Sequence, residues 1–455
     1  MIDSLIHHKK MMLSYCPSQD NFFDSKIGFV DESPFIKINK SVAFPTWQMS
    51  SWVGVIHTEV LVALGRTVPF DKDFDYFLCS FAKLAMPKGL FCYSEPKLLI
   101  QNTQIEIPKA NPYTLFRFVK QHYKTRWVFL LLLDLILYER KLSLLPFLGA
   151  VFYKKRSSES LNLDSIVVQS SKNVVDKKTI DVIIPTIGRK NYLYDTLKDF
   201  SAQTLLPNKI IIVEQNPVEG SSSELEYLVN EKWPFAIEHF FIHQAGACNA
   251  RNLALKKISS EWVFFADDDI EIGKDFLQKV LEKNADFGAK AVSISCLQKG
   301  QNKIYNSVFQ WVAFGSGCSV VFAKNLKGCE FKMGYEFGFG EDGDFGMQLR
   351  NQGCDILYLP EPEILHLKAP MGGFRTKPVL QWQNESIQPK PSPTVMLYHI
   401  LHNTKEQILG YKTILFFKYY QYQKIKNPFR YLSFFQKQWK SSVFWANELK
   451  KQNEI

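Results

Sequence analysis

TIDVIIPTIGRKNYLYDTLKDFSAQTLLPNKIIIVEQ (residues 179–215) decides how the fold is read. Ile180–Pro185 is a short β-branched apolar block closed by proline, the pattern of a strand buried on both faces. Leu193, Leu197 and Phe200 then recur at helical spacing, and Lys209–Gln215 forms a second buried strand. Working outward, residues 222–230 predict a helix and FAIEHFFIH (235–243) a third strand. ACNARNLALKKI (247–258) predicts a helix, and EWVFFADDDIEI (261–272) a strand running into a polar turn. Strand–helix alternation of this kind implies a parallel, doubly wound α/β sheet with helices on both faces. Ligands of such sheets bind beyond the carboxyl ends of the strands. Thr186, Glu214 and Asp267–Asp269 all fall at such ends.

Four groups of residues there carry chemistry. Three consecutive carboxylates, Asp267, Asp268 and Asp269, repel one another unless a cation offsets them. A hard divalent ion, Mn²⁺ or Mg²⁺, takes oxygen ligands and bridges to phosphates, so this triplet points to a metal–diphosphate site. Alternate residues Asp267 and Asp269 can face one side. GFGEDGDFGMQLRNQG (338–353) places Glu341 and Asp342 among glycines at a helix start. The helix dipole favours a carboxylate there, and an ionised one can take a proton from a hydroxyl. His366, after the apolar run 356–359, is a candidate third metal ligand. Pro185, Thr186, Arg189, Glu214 and Arg251 are candidates for contacts to a base, ribose and diphosphate. Arg251 lies in a segment whose helical N–H groups also favour anions.

Taken in order, DVIIPTIGR, SAQTLLPNKIIIVEQ, GACNARNLAL, WVFFADDD, FGSGCS and GFGEDGDFGMQLRNQG resemble the family-2 glycosyltransferases over about residues 180–370. The resemblance implies the GT-A fold, a Rossmann-like mixed sheet, and an inverting single displacement with one divalent metal. It implies Asp267 and Asp269 in the metal motif, and leaves open which of Asp267, Asp268 and Asp269 touches the metal; Asp267 and Asp268 are also candidate donor contacts. Asp342 would be the general base, with Glu341 beside it. Gly315, Ser316 and Gly317, with Trp311, would lie near the donor sugar and acceptor. The donor is expected to be a nucleotide sugar, a UDP-sugar first, and the acceptor a glycan or lipid-linked glycan of surface polysaccharide or glycolipid assembly. That is an EC 2.4 hexosyl-type transfer. The alternative is a catalytically silent relative that binds glycans or scaffolds their assembly. Glu214 departs from the pattern, because many relatives carry Asp there.

The rest of the chain divides around KKRSSESLNLDSIVVQSSKNVVDKK, read as a linker over 154–178. The expected units are an N-terminal α/β module (1–153), a GT-A domain (179–377), and a Pro-rich segment with a basic-aromatic helical tail (378–455). Residues 50–100 echo 313–367, so that the module looks like the second half of a glycosyltransferase domain. In that echo Lys72, Asp73 and Asp75 stand at Glu341, Asp342 and Asp344. The net charge is +10, with Lys and Arg in excess over 101–160 and 401–455. Both stretches are also apolar or aromatic, which suits an anionic membrane surface. Nucleic acid is not an expected partner. Trp127–Tyr138, interrupted by Asp134, is shorter than the ~20 apolar residues of a membrane span. Eight cysteines without a CxxC pair, and a start without an apolar core, point to a cytoplasmic protein, peripheral on the inner face of the membrane.

Overall fold

The computed structural model describes residues 2–18, 20–65, 67–100, 106–369 and 379–452. Two compact units emerge: Met1–Val167 with Asn384–Glu448, and Val168–Gln383 with Leu449–Ile455.

The first unit holds four paired strands among the described residues: β1 (Met11–Tyr15), β2 (Phe44–Pro45), β3 (Val53–Ile56) and β4 (Phe91–Ser94), in the order β2-β4-β1-β3. The helix Phe74–Ala85 buries Tyr76, Cys79, Phe81 and Ala82 in its core. Leu161, Leu163 and Ile166, read above as linker, are buried in this same core, because their apolar spacing gives them a surface to cover. Residues 384–448 also pack here rather than standing apart as a tail. Gln407 in the helix Lys405–Tyr422 donates to the carbonyls of Asp31 and Ser33, each at 3.0 Å. Thr413 Oγ1 donates to Asp134 Oδ1 at 2.6 Å. Burial pushes the Asp134 carboxyl up to about 7, against the pull of that one hydrogen bond. This polar pair lies in the middle of the apolar run, and it ties the two sequence ends together. Tyr431 and Phe435 are buried within this unit. The expected boundary at 377/378 lies outside the described residues.

The second unit is built on β5 (Ile180–Thr186), β6 (Lys209–Gln215), β7 (Ala236–Ile242), β8 (Trp262–Ala266), β9 (Ile270–Ile272), β10 (Ala291–Gln298), β11 (Phe309–Gln310), β12 (Cys318–Phe322) and β13 (Leu357–His366). Among the described residues these form one mixed sheet, in the order β11-β13-β10-β12-β8-β5-β6-β7, with β9 paired to β13. β7, β6, β5 and β8 are mutually parallel. The chain steps outward from β5 to β7, then returns to β8 on the other side of β5. That reversal is a topological switch point, where the carboxyl ends of two parallel strands open a crevice. The interior of β5, β6 and β8 is buried, as their continuous apolar sequence requires.

Two antiparallel pairings set the positions of the polar residues beyond β8. β12 runs against β8 with Cys318 opposite Ala266, which sets Gly317 against Asp267. β9 runs against β13 with Ile270 opposite His366, which brings the histidine beside Asp269.

Candidate active site

The crevice between β5 and β8 is closed by hydrogen bonds from one strand end to the other. Thr186 Oγ1 donates to Asp268 Oδ2 at 2.6 Å, and Arg189 Nη1 to Asp268 Oδ1 at 2.6 Å. Arg189 also stands 3.3 Å from Asp269 Oδ2. Thr196, from the helix Lys190–Ser201, donates to the carbonyls of Asp268 and Ile270, each at 3.1 Å, and pins the turn. Burial pushes the Asp268 carboxyl up to about 6, in spite of Arg189 and Thr186. Burial would raise Asp269 as well, but His366, the Ala369 N–H and Arg189 outweigh it and hold this carboxyl below the usual range. Asp268 is thus committed to internal partners, whereas Asp267 is about one-third exposed.

Asp267, Asp269 and His366 offer ligand atoms that all lie within 4.8 Å of one another. His366 Nε2 is 3.3 Å from Asp269 Oδ1, close but not aligned as a hydrogen bond. That buried oxygen has no hydrogen-bond partner among the described residues. The Asp269 carboxylate raises the His366 pKa. Two carboxylates and an imidazole with an unsatisfied buried oxygen fit a hard-to-borderline divalent cation.

The carboxylate pair sits opposite. Glu341 and Asp342 open the helix Glu341–Asn351 after Gly340, whose φ of 116° suits glycine. Burial, then the neighbouring Asp342 charge, pushes Glu341 up to about 7. Burial also raises Asp342, but Arg251 and both the hydroxyl and backbone of Ser316 favour its ionised form. Asp342 Oδ1 is buried without a hydrogen-bond partner among the described residues. Arg251 reaches to 3.5 Å from Asp267 Oδ1, so one guanidinium links the two acidic groups. A cavity of about 140 Å³ lies among them, lined by Pro185, Thr186, Arg189, Arg251, Asp267, Asp268 and Glu341.

Two expected residues and one expected anion-binding helix start stand differently. Glu214 is nearly buried and its carboxylate is used internally. It accepts from Ser223 Oγ at 2.5 Å and from the Glu224 N–H at 3.1 Å, and it pairs with His239 Nε2 at 2.9 Å. Those partners hold it below the usual carboxylate range despite burial; Gln215 lines the main cavity, and Glu214 lines an adjoining one of about 130 Å³ with Thr186, Arg189 and Gln215. Trp311 packs among Tyr305, Phe309 and Tyr358 and does not line the cavity. The N–H groups that begin the helix Ala247–Leu255 meet an anion from the chain itself. Glu336 accepts from the N–H of Cys248 at 3.1 Å and of Asn249 at 2.8 Å. Gly246, at φ 143°, lets it approach, since a Cβ there would come within 2.3 Å of the Glu336 carboxylate. Glu336 went unread because a single acid in a loop has no periodicity; its place four residues before a Gly-Glu-Asp start is the one signal it carries. Ser316 and Gly317 border the acidic groups, Ser316 at Asp342 and Gly317 at Asp267, whereas Gly315 lies against Cys318 and Ser319.

The family model described as Glycosyl transferase family 2 matches residues 181–324, the stretch that carries the crevice and the Asp267–Asp269 turn. The chain carries a family-2 glycosyltransferase domain. Its fold is GT-A. The succinoglycan biosynthesis protein ExoM of Rhizobium meliloti (strain 1021) is 26% identical over 203 residues, 40% of this chain and 64% of that protein. TuaG of Bacillus subtilis (strain 168), a glycosyltransferase ascribed to teichuronic acid biosynthesis, is 31% identical over 107 residues, 23% of this chain and 42% of that protein. The chain thus spans less than two thirds of the length of either relative. Among solved structures, S. aureus TarS 1-349 in complex with UDP-GlcNAc superposes with a TM-score of 0.38 and 18% identity, over 51% of this chain and 70% of that one.

Proposed function

We propose that this glycosyltransferase domain moves a sugar from a nucleotide-diphosphate sugar to an acceptor hydroxyl by one inverting displacement. The observation that carries the reading is the meeting, around one crevice, of Asp267, Asp269 and His366 with the Glu341–Asp342 pair and Arg251. Asp342 takes the proton as the acceptor oxygen forms its bond to the anomeric carbon, and the bond to the diphosphate oxygen breaks on the opposite face. Asp267, Asp269 and His366 would hold Mn²⁺ or Mg²⁺, whose charge offsets that of the departing diphosphate. Thr186 and Arg189 keep Asp268 oriented, and Arg251 adds positive charge between the two acidic groups. A UDP-sugar is the first donor to test, and a glycan or lipid-linked glycan of surface polysaccharide or glycolipid assembly is the acceptor class. The test is nucleotide release from UDP-, GDP-, dTDP- and CMP-sugars, with Mn²⁺ or with EDTA. Release from one donor class that stops in EDTA is expected. Neither release nor binding of any donor would sink the reading.

The acceptor class accords with a site at a membrane surface, the partner expected from the basic, apolar composition of 101–160. No described helix is long and apolar enough to cross a membrane. Leu142, Leu144, Leu145, Leu148, Val151 and Phe152 are exposed, on and beside the short helix Leu144–Val151. Arg140, Lys141, Lys154 and Lys155 flank them in sequence. Apolar side chains with basic flanks suit the interface of anionic lipid, on the inner face of the membrane. Flotation with phosphatidylglycerol vesicles is expected to carry the protein, and Leu145→Asp/Phe152→Asp to release it. Flotation equal for both forms would remove this patch from the account.

A further inference from the structure

The sheet of the first unit and one half of the larger sheet have the same plan. The order β2-β4-β1-β3 matches β11-β13-β10-β12. The sense of every pairing agrees as well: antiparallel, parallel, antiparallel in each. A helix precedes the fourth strand in chain order in both, Phe74–Ala85 before β4 and Glu341–Asn351 before β13. One side-chain arrangement recurs with the plan. Asp75 is the second residue of its helix, as Asp342 is of its own. Ser51 lies two residues before β3, as Ser316 lies two before β12. Ser51 donates its N–H to Asp75 Oδ1 at 2.7 Å and its hydroxyl to Oδ2 at 2.9 Å. Ser316 likewise turns both its backbone and its hydroxyl to Asp342. The alignment in which Asp73 stood at Asp342 is therefore off by two. Asp73 lies before the helix and caps it, accepting from the Tyr76 N–H at 3.1 Å.

The plan stops where a nucleotide would begin to be held. β12 continues into β8, β5, β6 and β7, whereas β3 ends its sheet among the described residues. A carboxylate held as Asp342 is held, without the strands that form the crevice, has no donor to act on. It does face an opening: Asp75, Ser51 and Trp52 line a cavity of about 400 Å³. That size is within the roughly 300–1,000 Å³ of small-molecule sites. Asp20, Asp75 and Glu106 line it with one lysine, Lys40, whose ammonium is itself weakened by burial; Lys109, outside the lining, pairs with Asp20 at 2.6 Å, so a smaller excess of acid remains. This balance disfavours phosphates and other anions. Ser14, Thr46, Gln48 and Ser50 add hydroxyl and amide groups, and Gln48 Oε1 is buried without a hydrogen-bond partner among the described residues. Trp52, 55% exposed, lines the same cavity.

We infer that this cavity binds a neutral glycan, the C–H face of a pyranose lying on Trp52 and its hydroxyls donating to Asp75. Each Asp75 oxygen accepts one bond from Ser51, and a carboxylate has about four acceptor sites, so two remain for a ligand. The ligand class rests in part on reading Asp342 as a group that faces a sugar hydroxyl. The two sites are therefore tested separately on the full chain. Maltohexaose, cellohexaose and laminarihexaose serve as probes in titration calorimetry, with a hexauronide as the anionic control. At least one neutral hexasaccharide is expected to bind and the hexauronide not to. Trp52→Ala, a change at an exposed side chain, is expected to weaken binding at least tenfold, and Asp75→Asn to weaken it as well. Both variants should keep wild-type binding of UDP with Mn²⁺, which reports on the other unit. Failure of all neutral probes at millimolar concentration overturns the inference. So does binding that is unchanged in Trp52→Ala, or that is lost only in Asp342→Asn.

Discussion

Asp342→Asn is expected to lower turnover by roughly 10²–10⁴-fold, the usual contribution of a positioned general base, while donor affinity stays near that of the wild type. The substitution keeps the shape and the ability to accept from Ser316, and it removes only the capacity to take a proton. Two adjacent carboxyls in a partly buried site do not both ionise cheaply. Burial, and then the neighbouring Asp342 charge, pushes Glu341 up to about 7. Burial raises Asp342 too, but Arg251 and Ser316 act to favour its charged form, so it is the member of the pair assigned to take the proton. The measurement is the kcat of nucleotide release with acceptor present, set beside the donor Kd from calorimetry. If Glu341→Gln lost turnover while Asp342→Asn kept it, the roles of the two residues would be exchanged. If both kept it, neither would be the base.

How much of this was legible in the sequence depends on distance along the chain. The strands Ile180–Thr186, Lys209–Gln215 and Trp262–Ala266 announce themselves, because burial on both faces demands unbroken apolar runs. The acidic turn after Ala266 and the Glu341–Asp342 start are equally visible as residue types. Their meeting is not visible: it follows from Ile270 pairing with His366 and from Cys318 pairing with Ala266, and registers between strands so far apart leave no local trace. Glu214, at a strand end, is a candidate contact to a ribose or base by sequence, and its three partners come from other elements. The attachment of residues 384–448 to the first unit rests on contacts such as Asp134 with Thr413, between residues remote in sequence. In the internal echo, composition aligned acid with acid. The structure aligns helix starts instead, and moves the match from Asp73 to Asp75.

Gly317→Ala tests the acidic turn without touching an acidic residue. The backbone at Gly317 is not in the left-handed region, so an alanine there strains nothing by itself. A Cβ at Gly317 would fall 2.1 Å from Asp267 Oδ2 and 2.4 Å from its Cγ, well inside contact distance. Asp267 has room to turn away, since it is about one-third exposed and its ion pair to Arg251, the one it makes among the described residues, is 3.5 Å long. The fold should therefore survive, with a melting temperature within a few degrees of the wild type. The carboxylate would leave its place beside Asp269 and His366, and displacement of a functional group by about 1 Å costs on the order of 10²-fold in rate. The Mn²⁺ concentration for half-maximal nucleotide release should rise and the maximal rate fall. Gly273→Ala is the control, because its Cβ would meet only Asp275 Oδ1, at 3.7 Å. If Gly317→Ala kept the wild-type Mn²⁺ dependence, Asp267 would not be a metal ligand, and the cation would have to be held by Asp269 and His366 alone.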